Sequence, residues 1–146
     1  MTRGAVRDER GSAVVEAVAL GVLLLVPLVY LVLTLARVQA GAFAVSQASR
    51  EAGRAFVTAP VAEAAAGRAR AAARISFEDH DFGDSGALAI ACDGTPCLRP
   101  DGRVRTTATV SVPLPLVPAF VRGTVPLTIP VAATHLSTVE RFRGLP

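Results

Sequence analysis

The hydrophobic positions of the chain form one long unbroken run, followed by shorter periodic stretches. No charged residue occurs between Glu16 and Arg37, and the 20 residues from Ala17 to Ala36 include eight leucines and five valines. At a rise of about 1.5 Å per residue, a helix of this length covers the roughly 30 Å hydrocarbon core of a bilayer. Pro27 lies inside the run, where transmembrane helices tolerate proline as a kink. We therefore predict one transmembrane helix.

The helical pattern continues beyond this run. Residues 38–58 contain no proline, and Pro60 is the next helix breaker, so we expect the helix to reach about Ala59. Small residues recur at every fourth position of this extension, a spacing that lets another helix approach closely. The row comprises Ala40, Ala44, Ala48 and Ala52. We expect it to pack against a partner subunit or the second helix, although an alanine-rich composition also produces such rows by chance.

The rest of the chain predicts one more helix and then strands. An alanine-rich stretch over residues 61–75 has helical character and carries arginines toward its end, where cations suit the helix dipole. Residues 88–92, 104–112 and 125–133 then alternate with a period of two, which is typical of strands with one buried face. Pro100-Asp101-Gly102 predicts the turn between the first two strands, and Pro126 and Pro130 indicate an edge position for the third. One sheet face should lie against the long helix and the other should face water.

These elements predict an α+β fold: a long N-terminal helix that leaves the membrane, a short second helix and a small antiparallel sheet of about three strands. With 146 residues the chain has room for one domain. Hydrophobic residues make up 51%, charged residues 18%, and the mean hydropathy is +0.47, which favours a membrane protein over a disordered chain. A dispersed net charge of +3 with 5% aromatic residues does not indicate a nucleic-acid surface.

Two cysteines, Cys92 and Cys97, flank a loop of four residues and are the only cysteines in the sequence. In an extracytoplasmic compartment, a pair that closes so short a loop indicates a disulfide, worth about 2 kcal/mol by loop entropy. A metal site or a redox pair is the alternative interpretation. No second pair of cysteines or histidines completes a zinc site, so we favour the disulfide.

Few other residues indicate chemistry. The segment Glu78-Asp79-His80-Asp81-Phe82-Gly83-Asp84 concentrates oxygen ligands, but it departs from a calcium-binding EF-hand at two ligand positions, and we interpret it as a solvated acidic loop. The sequence has two histidines and no nucleophile or phosphate-binding motif, so we expect neither an enzyme nor a cofactor. A proline-rich segment contributes Leu116, Phe120 and Val121 either to packing within the domain or to a partner contact.

The start of the long helix carries a recognisable junction. A basic leader with three arginines precedes Gly11 and Ser12, and Glu16 follows at the mouth of the apolar run. This arrangement resembles the class III signal of type IV prepilins, in which a prepilin peptidase cuts after the glycine and the helix stays with the mature protein. The resemblance implies cleavage between Gly11 and Ser12. Because a carboxylate at an apolar helix end needs a partner, Glu16 would pair with the Ser12 α-amino group of a neighbouring subunit.

Together with Ala48-Ser49-Arg50-Glu51-Ala52-Gly53-Arg54-Ala55, this junction and helix resemble the TadE-like proteins of the tight-adherence (Tad/Flp) pilus system. The resemblance covers about the first 55 residues and implies a pilin-like architecture. Its divisions would be a leader over residues 1–11, a membrane and extended helix over 12–59, and an extracytoplasmic α+β domain over 60–146. It also implies a non-enzymatic minor pilin or pseudopilin in the cytoplasmic membrane. The expected partners are the prepilin peptidase, other Tad/Flp pilins, the membrane assembly platform and lipid, with homo- or hetero-oligomers and no nucleic acid.

Two further interpretations remain open at this point. The apolar run could be the signal peptide of a secreted protein, cut after Val38-Gln39-Ala40, although 20 apolar residues exceed the usual length of such a region. Alternatively, the protein could be a membrane-anchored binding domain that is never cleaved. The three interpretations differ in the mature N-terminus, which would be Ser12, Gly41 or the intact leader.

Overall fold

The computed structural model describes residues 10–115 and 128–142, with side chains from Ala13 onward in the first range. Most of the leader, residues 1–9, lies outside the described residues. So do Leu116, Phe120 and Val121 of the proline-rich segment, the start of the predicted third strand with Pro126, and residues 143–146. Within the described ranges the chain forms two α-helices and one three-stranded sheet.

The first helix, α1, spans Arg10–Val57 and contains 48 residues, which corresponds to a length of about 72 Å. Pro27 lies within it without ending it. After Val57 the backbone tightens, because the Ala59 N–H donates to the Phe56 carbonyl rather than to the carbonyl four residues back. The helix therefore ends two residues before the predicted boundary, and Pro60 follows the turn.

The second helix, α2, spans Ala62–Glu78 and packs against α1. Only four residues connect the two helices, so they run antiparallel. The helix extends three residues beyond the predicted end because Ser76 and Phe77 are buried in the core and continue its apolar face. The buried face also contains a row of alanines at every fourth position: Ala65, Ala69 and Ala73.

The sheet contains three antiparallel strands in the order β1, β2, β3. They span Ala87–Cys92, Arg103–Pro113 and Thr128–Thr138 respectively. In the register, Thr107 of β2 lies opposite Ala89 of β1 and Thr134 of β3. The last strand continues five residues beyond its predicted end, because the alternation persists through half-buried His135 and Ser137. Pro130 lies on this outer strand, as its missing N–H requires.

The core lies between the C-terminal half of α1, helix α2 and one face of the sheet. Every second residue of β2 is buried against the helices, and the alternate positions are mostly exposed. The buried set is Val104, Thr106, Ala108, Val110 and Val112. These observations confirm the predicted α+β layout and the one-sided burial of the sheet, and β2 lies between the other two strands.

Candidate functional site

The long helix is divided into two halves with different surroundings. From Val14 to Leu35 the leucine and valine side chains are between 42% and 71% exposed, and the most apolar window of the helix has no residue buried inside the structure. By length and composition this is the one helix among the described residues that could cross a membrane. So large a contiguous apolar surface indicates contact with lipid or with other protein chains.

The apolar half of α1, from Val14 to Leu35, contains few polar groups that would be costly to place in lipid. The Thr34 hydroxyl donates to the Tyr30 carbonyl at 2.8 Å, so this polar group is satisfied within its own helix. Glu16 is exposed near the N-terminal end of the helix, on the last turn before the uncharged run. Gly11 and Ser12 lie in the first turn of α1. The backbone is thus helical through the junction that resembles a prepilin cleavage site.

The second half of α1 forms the centre of the domain. Ala44, Ala48 and Ala52 are completely buried, while Ala40, nearer the apolar half, is half-buried. These alanines share one core with the alanine row of α2. The row therefore packs within the domain. A larger residue at Ala48 would destabilise the fold of the domain itself, whatever its effect on assembly.

A second row of small residues on α1 faces the sheet. A Cβ placed on Gly41 would lie 2.5 Å from Cγ2 of Val112, and one placed on Gly53 would collide with the Ser137 hydroxyl. Between them, the Ser49 carbonyl accepts a hydrogen bond from Thr106. The contacts also fix the direction of the sheet, because Val112 lies near the apolar half of α1 and Ser137 lies near its C-terminal end.

The end of the domain farthest from the apolar half is held by covalent and ionic links. Cys92 and Cys97 form a disulfide with a Cα–Cα distance of 5.4 Å. Asp93, in the loop that the disulfide closes, forms an ion pair with Arg99, with 2.9 Å between Oδ1 and Nη2. The backbone N–H of Arg103 donates to the Asp93 carboxylate, and together with the nearby Arg99 guanidinium it holds the pKa of Asp93 below its ordinary value.

The C-terminal segment is attached to the same end of the domain. The Val139 N–H donates to the Gly102 carbonyl at 2.8 Å, and the Val139 side chain is buried. Arg141 pairs with Asp101 at 2.9 Å on the surface. The turn at Asp101, where φ is 57°, thus connects β1 and β2 as predicted and also binds the residues that directly follow β3.

The acidic segment lies at the opposite end of the domain, next to the point where α1 emerges from its apolar half. Phe82 is buried, and the Arg37 guanidinium lies over its ring at 6.0 Å from the centroid. No group of three or more His, Cys, Asp or Glu residues within the described ranges could hold a metal ion. Residues 79–84, which follow α2, form an acidic loop that is anchored through the buried side chain of Phe82.

A groove of about 890 Å³ opens beside this anchor, between the end of α2, the acidic loop and the adjoining ends of β2 and β3. Its charged lining is Arg37, Arg74, Glu78, Asp81 and Asp84. The sequence alone does not predict this groove, because a helix hairpin separates Arg37 from the acidic segment along the chain. The lone Phe82 among acidic residues was the signal that could have indicated a buried anchor.

No family model, characterised protein or solved structure matches this chain in sequence or fold comparisons. The features of the structure that bear on function are the division of α1, the charges that flank its apolar half and the domain that its second half supports.

Proposed function

We propose that the protein is a TadE-like minor pilin or pseudopilin, a non-enzymatic subunit of a Tad/Flp-type pilus assembly and secretion system. The observation that carries the proposal is the division of α1. One continuous helix is apolar and uncovered in its first half, and its second half is the central helix of a small α+β domain. Such a helix can hold a domain at a membrane and can also bring subunits together through its uncovered half.

The charges near the start of α1 support the same proposal. Glu16 is the last charged residue before the apolar run, and a carboxylate in that position is costly in lipid unless it is paired. Cleavage between Gly11 and Ser12 by a prepilin peptidase would create an α-amino group four residues before Glu16. Because both groups lie at the end of the helix, the amino group of one subunit could pair with Glu16 of the next and set the register of the assembly.

The location follows from the same features. The proposal places the N-terminus in the cytoplasm, the apolar half of α1 in the inner membrane and the disulfide-bonded domain outside the cytoplasm. A disulfide suits an oxidising compartment on that side. The subunit would act with other Tad/Flp pilins and the membrane assembly platform, either within the fibre or at its base.

One observation favours a second candidate function, a small secreted domain without a role in pili. The fully buried residues of α1 begin at Gly41, which is the first residue after the alternative signal-peptide site. Cleavage after Ala40 would therefore leave the buried core intact. Val38 and Ala40 nevertheless pack partly against that core, so this cleavage would remove part of its edge.

Deletion and complementation in the native host test the proposed role. We expect the deletion strain to lack surface fibres and the wild-type gene to restore them. A Glu16→Ala variant should insert into the membrane but fail to restore fibres, whereas Glu63→Ala, a carboxylate at the exposed start of α2, should restore them. Normal fibres in the deletion strain would overturn the proposal.

A further inference from the structure

The groove at the base of the domain has a position and a set of charges that indicate a ligand. Arg37 is the first charged residue after the apolar run, so in the proposed membrane orientation it lies where the hydrocarbon core ends. Polar headgroups occupy roughly 5–8 Å beyond the core on each side of a bilayer. The groove begins at Arg37 and is therefore in the headgroup layer. This step rests on the membrane anchoring in the proposed function.

The groove has more carboxylates than guanidinium groups once the ion pair within its lining is set aside. Arg74 and Glu78 pair with each other, with 3.4 Å between Nε and Oε1. The remaining charged lining consists of Arg37, Asp81 and Asp84, and among the described residues none of the three takes part in an ion pair. One guanidinium and two carboxylates can bind a ligand with one phosphate and one ammonium group. The excess of carboxylates disfavours a ligand that carries only negative charge.

We propose that this groove binds the headgroup of an aminophospholipid, phosphatidylethanolamine in chemical class. Arg37 would hold the phosphate, which guanidinium groups recognise well, and Asp81 and Asp84 would accept hydrogen bonds from the primary ammonium group. A volume of about 890 Å³ lies within the range of small-molecule sites. The Phe82 ring beneath Arg37 orients the guanidinium at the rim of the groove.

The chemistry distinguishes two lipids of equal net charge. A primary ammonium group has three N–H donors for carboxylate acceptors. The trimethylammonium group of phosphatidylcholine has none, so it gains only the charge attraction. The groove should therefore prefer phosphatidylethanolamine to phosphatidylcholine with the same acyl chains, and the preference should depend on the two aspartates.

The test uses the full-length protein in nanodiscs that contain phosphatidylethanolamine and phosphatidylcholine in equal amounts, with lipid retention after gentle extraction measured by native mass spectrometry. We expect the wild type to retain several-fold more phosphatidylethanolamine. The double variant Asp81→Asn, Asp84→Asn should lose that preference, and Arg37→Gln should retain less of both lipids. Asp79→Asn is the matched control, because Asp79 lies in the same acidic segment but does not line the groove.

Equal retention of the two lipids by the wild type would overturn the inference, as would an Asp79→Asn variant that behaves like the double variant. Thermal unfolding of each variant checks that the domain is folded. Alkaline extraction of wild-type membranes distinguishes a failure of the membrane anchoring from a failure of the groove proposal alone. A protein that is released as soluble material contradicts the membrane anchoring and the groove proposal together. A protein that remains in the membrane but retains the lipids equally contradicts the groove proposal alone.

Discussion

The hydroxyl of Thr106 in the central strand donates a hydrogen bond to the carbonyl of Ser49 in α1 at 2.7 Å, across 57 residues of sequence. Thr106 is completely buried, and its hydroxyl also lies 3.3 Å from the His135 carbonyl of the neighbouring strand. One side chain therefore links the long helix to two strands.

We predict that Thr106→Val lowers the free energy of unfolding by about 1 kcal/mol, because the shape is kept and the hydrogen bond is lost. The Ser49 carbonyl keeps its partner within the helix, which limits the loss. Denaturant unfolding of the full chain in detergent, followed by circular dichroism, measures the change. Thr109→Val on the exposed face of the same strand is the control and should be nearly neutral. Equal effects of both variants would contradict the role given to this hydrogen bond.

The close approach of α1 to the sheet predicts that Gly41→Ala destabilises the domain. Alanine normally stabilises a helix interior by about 1 kcal/mol relative to glycine. At Gly41 its Cβ would lie 2.5 Å from the stiff, buried side chain of Val112, and overpacking of this kind costs about 1–3 kcal/mol. Gly67→Ala on α2 has open space at the Cβ position and should raise stability. Thermal unfolding of the two variants measures the difference. Gly41→Ala should lower the thermal midpoint and Gly67→Ala should raise it.

We predict that the disulfide makes a moderate contribution to the stability of the domain and that reductant removes this contribution. Its two cysteines are five residues apart, and closing so short a loop is worth about 2 kcal/mol in loop entropy. We expect the double variant Cys92→Ala, Cys97→Ala to fold with a lower thermal midpoint, and added reductant to lower the midpoint of the wild type only. A midpoint that is unaffected by reductant in both proteins would show that the loop is held by its other contacts, such as the ion pair of Asp93 and Arg99.

The environment of Asp93 predicts a dependence on acid pH. The Arg103 backbone N–H and the Arg99 guanidinium favour the charged carboxylate, so the pKa in the folded protein lies below the ordinary value of 3.8. The resulting stabilisation is fully present above pH 3.8 and is lost as the pH falls through the lower folded pKa. The difference in thermal midpoint between the wild type and Asp93→Asn should therefore shrink below pH 3.8. A difference that stays constant into acid would contradict this account.

Local patterns were sufficient to predict most of the fold. The alternation over residues 104–112 predicts the second strand and its buried face, because a strand with one wet face has a period of two. The ends of elements were predicted less well. The end of α2 depends on Phe77 and Phe82 packing into the core, and that packing requires a sheet that follows later in the sequence.

The groove could not be predicted from the sequence for a similar reason. Arg37 and Asp81 are separated by a helix hairpin, and they lie beside one groove only because α2 runs back along α1. The sequence shows the alanine row of α1, but it does not show which part of the structure packs against that row. The choice between a partner and the chain's own core depends on tertiary packing, and Ala44, Ala48 and Ala52 are buried within the domain.

The most direct test of the account is the N-terminal sequence and intact mass of the protein from membranes of a host that also expresses a prepilin peptidase. We predict a start at Ser12, and we predict that this start disappears in a Gly11→Ala variant. A start at Gly41 would contradict the account and indicate a secreted protein, and an intact leader in the wild type would indicate an uncleaved anchored domain.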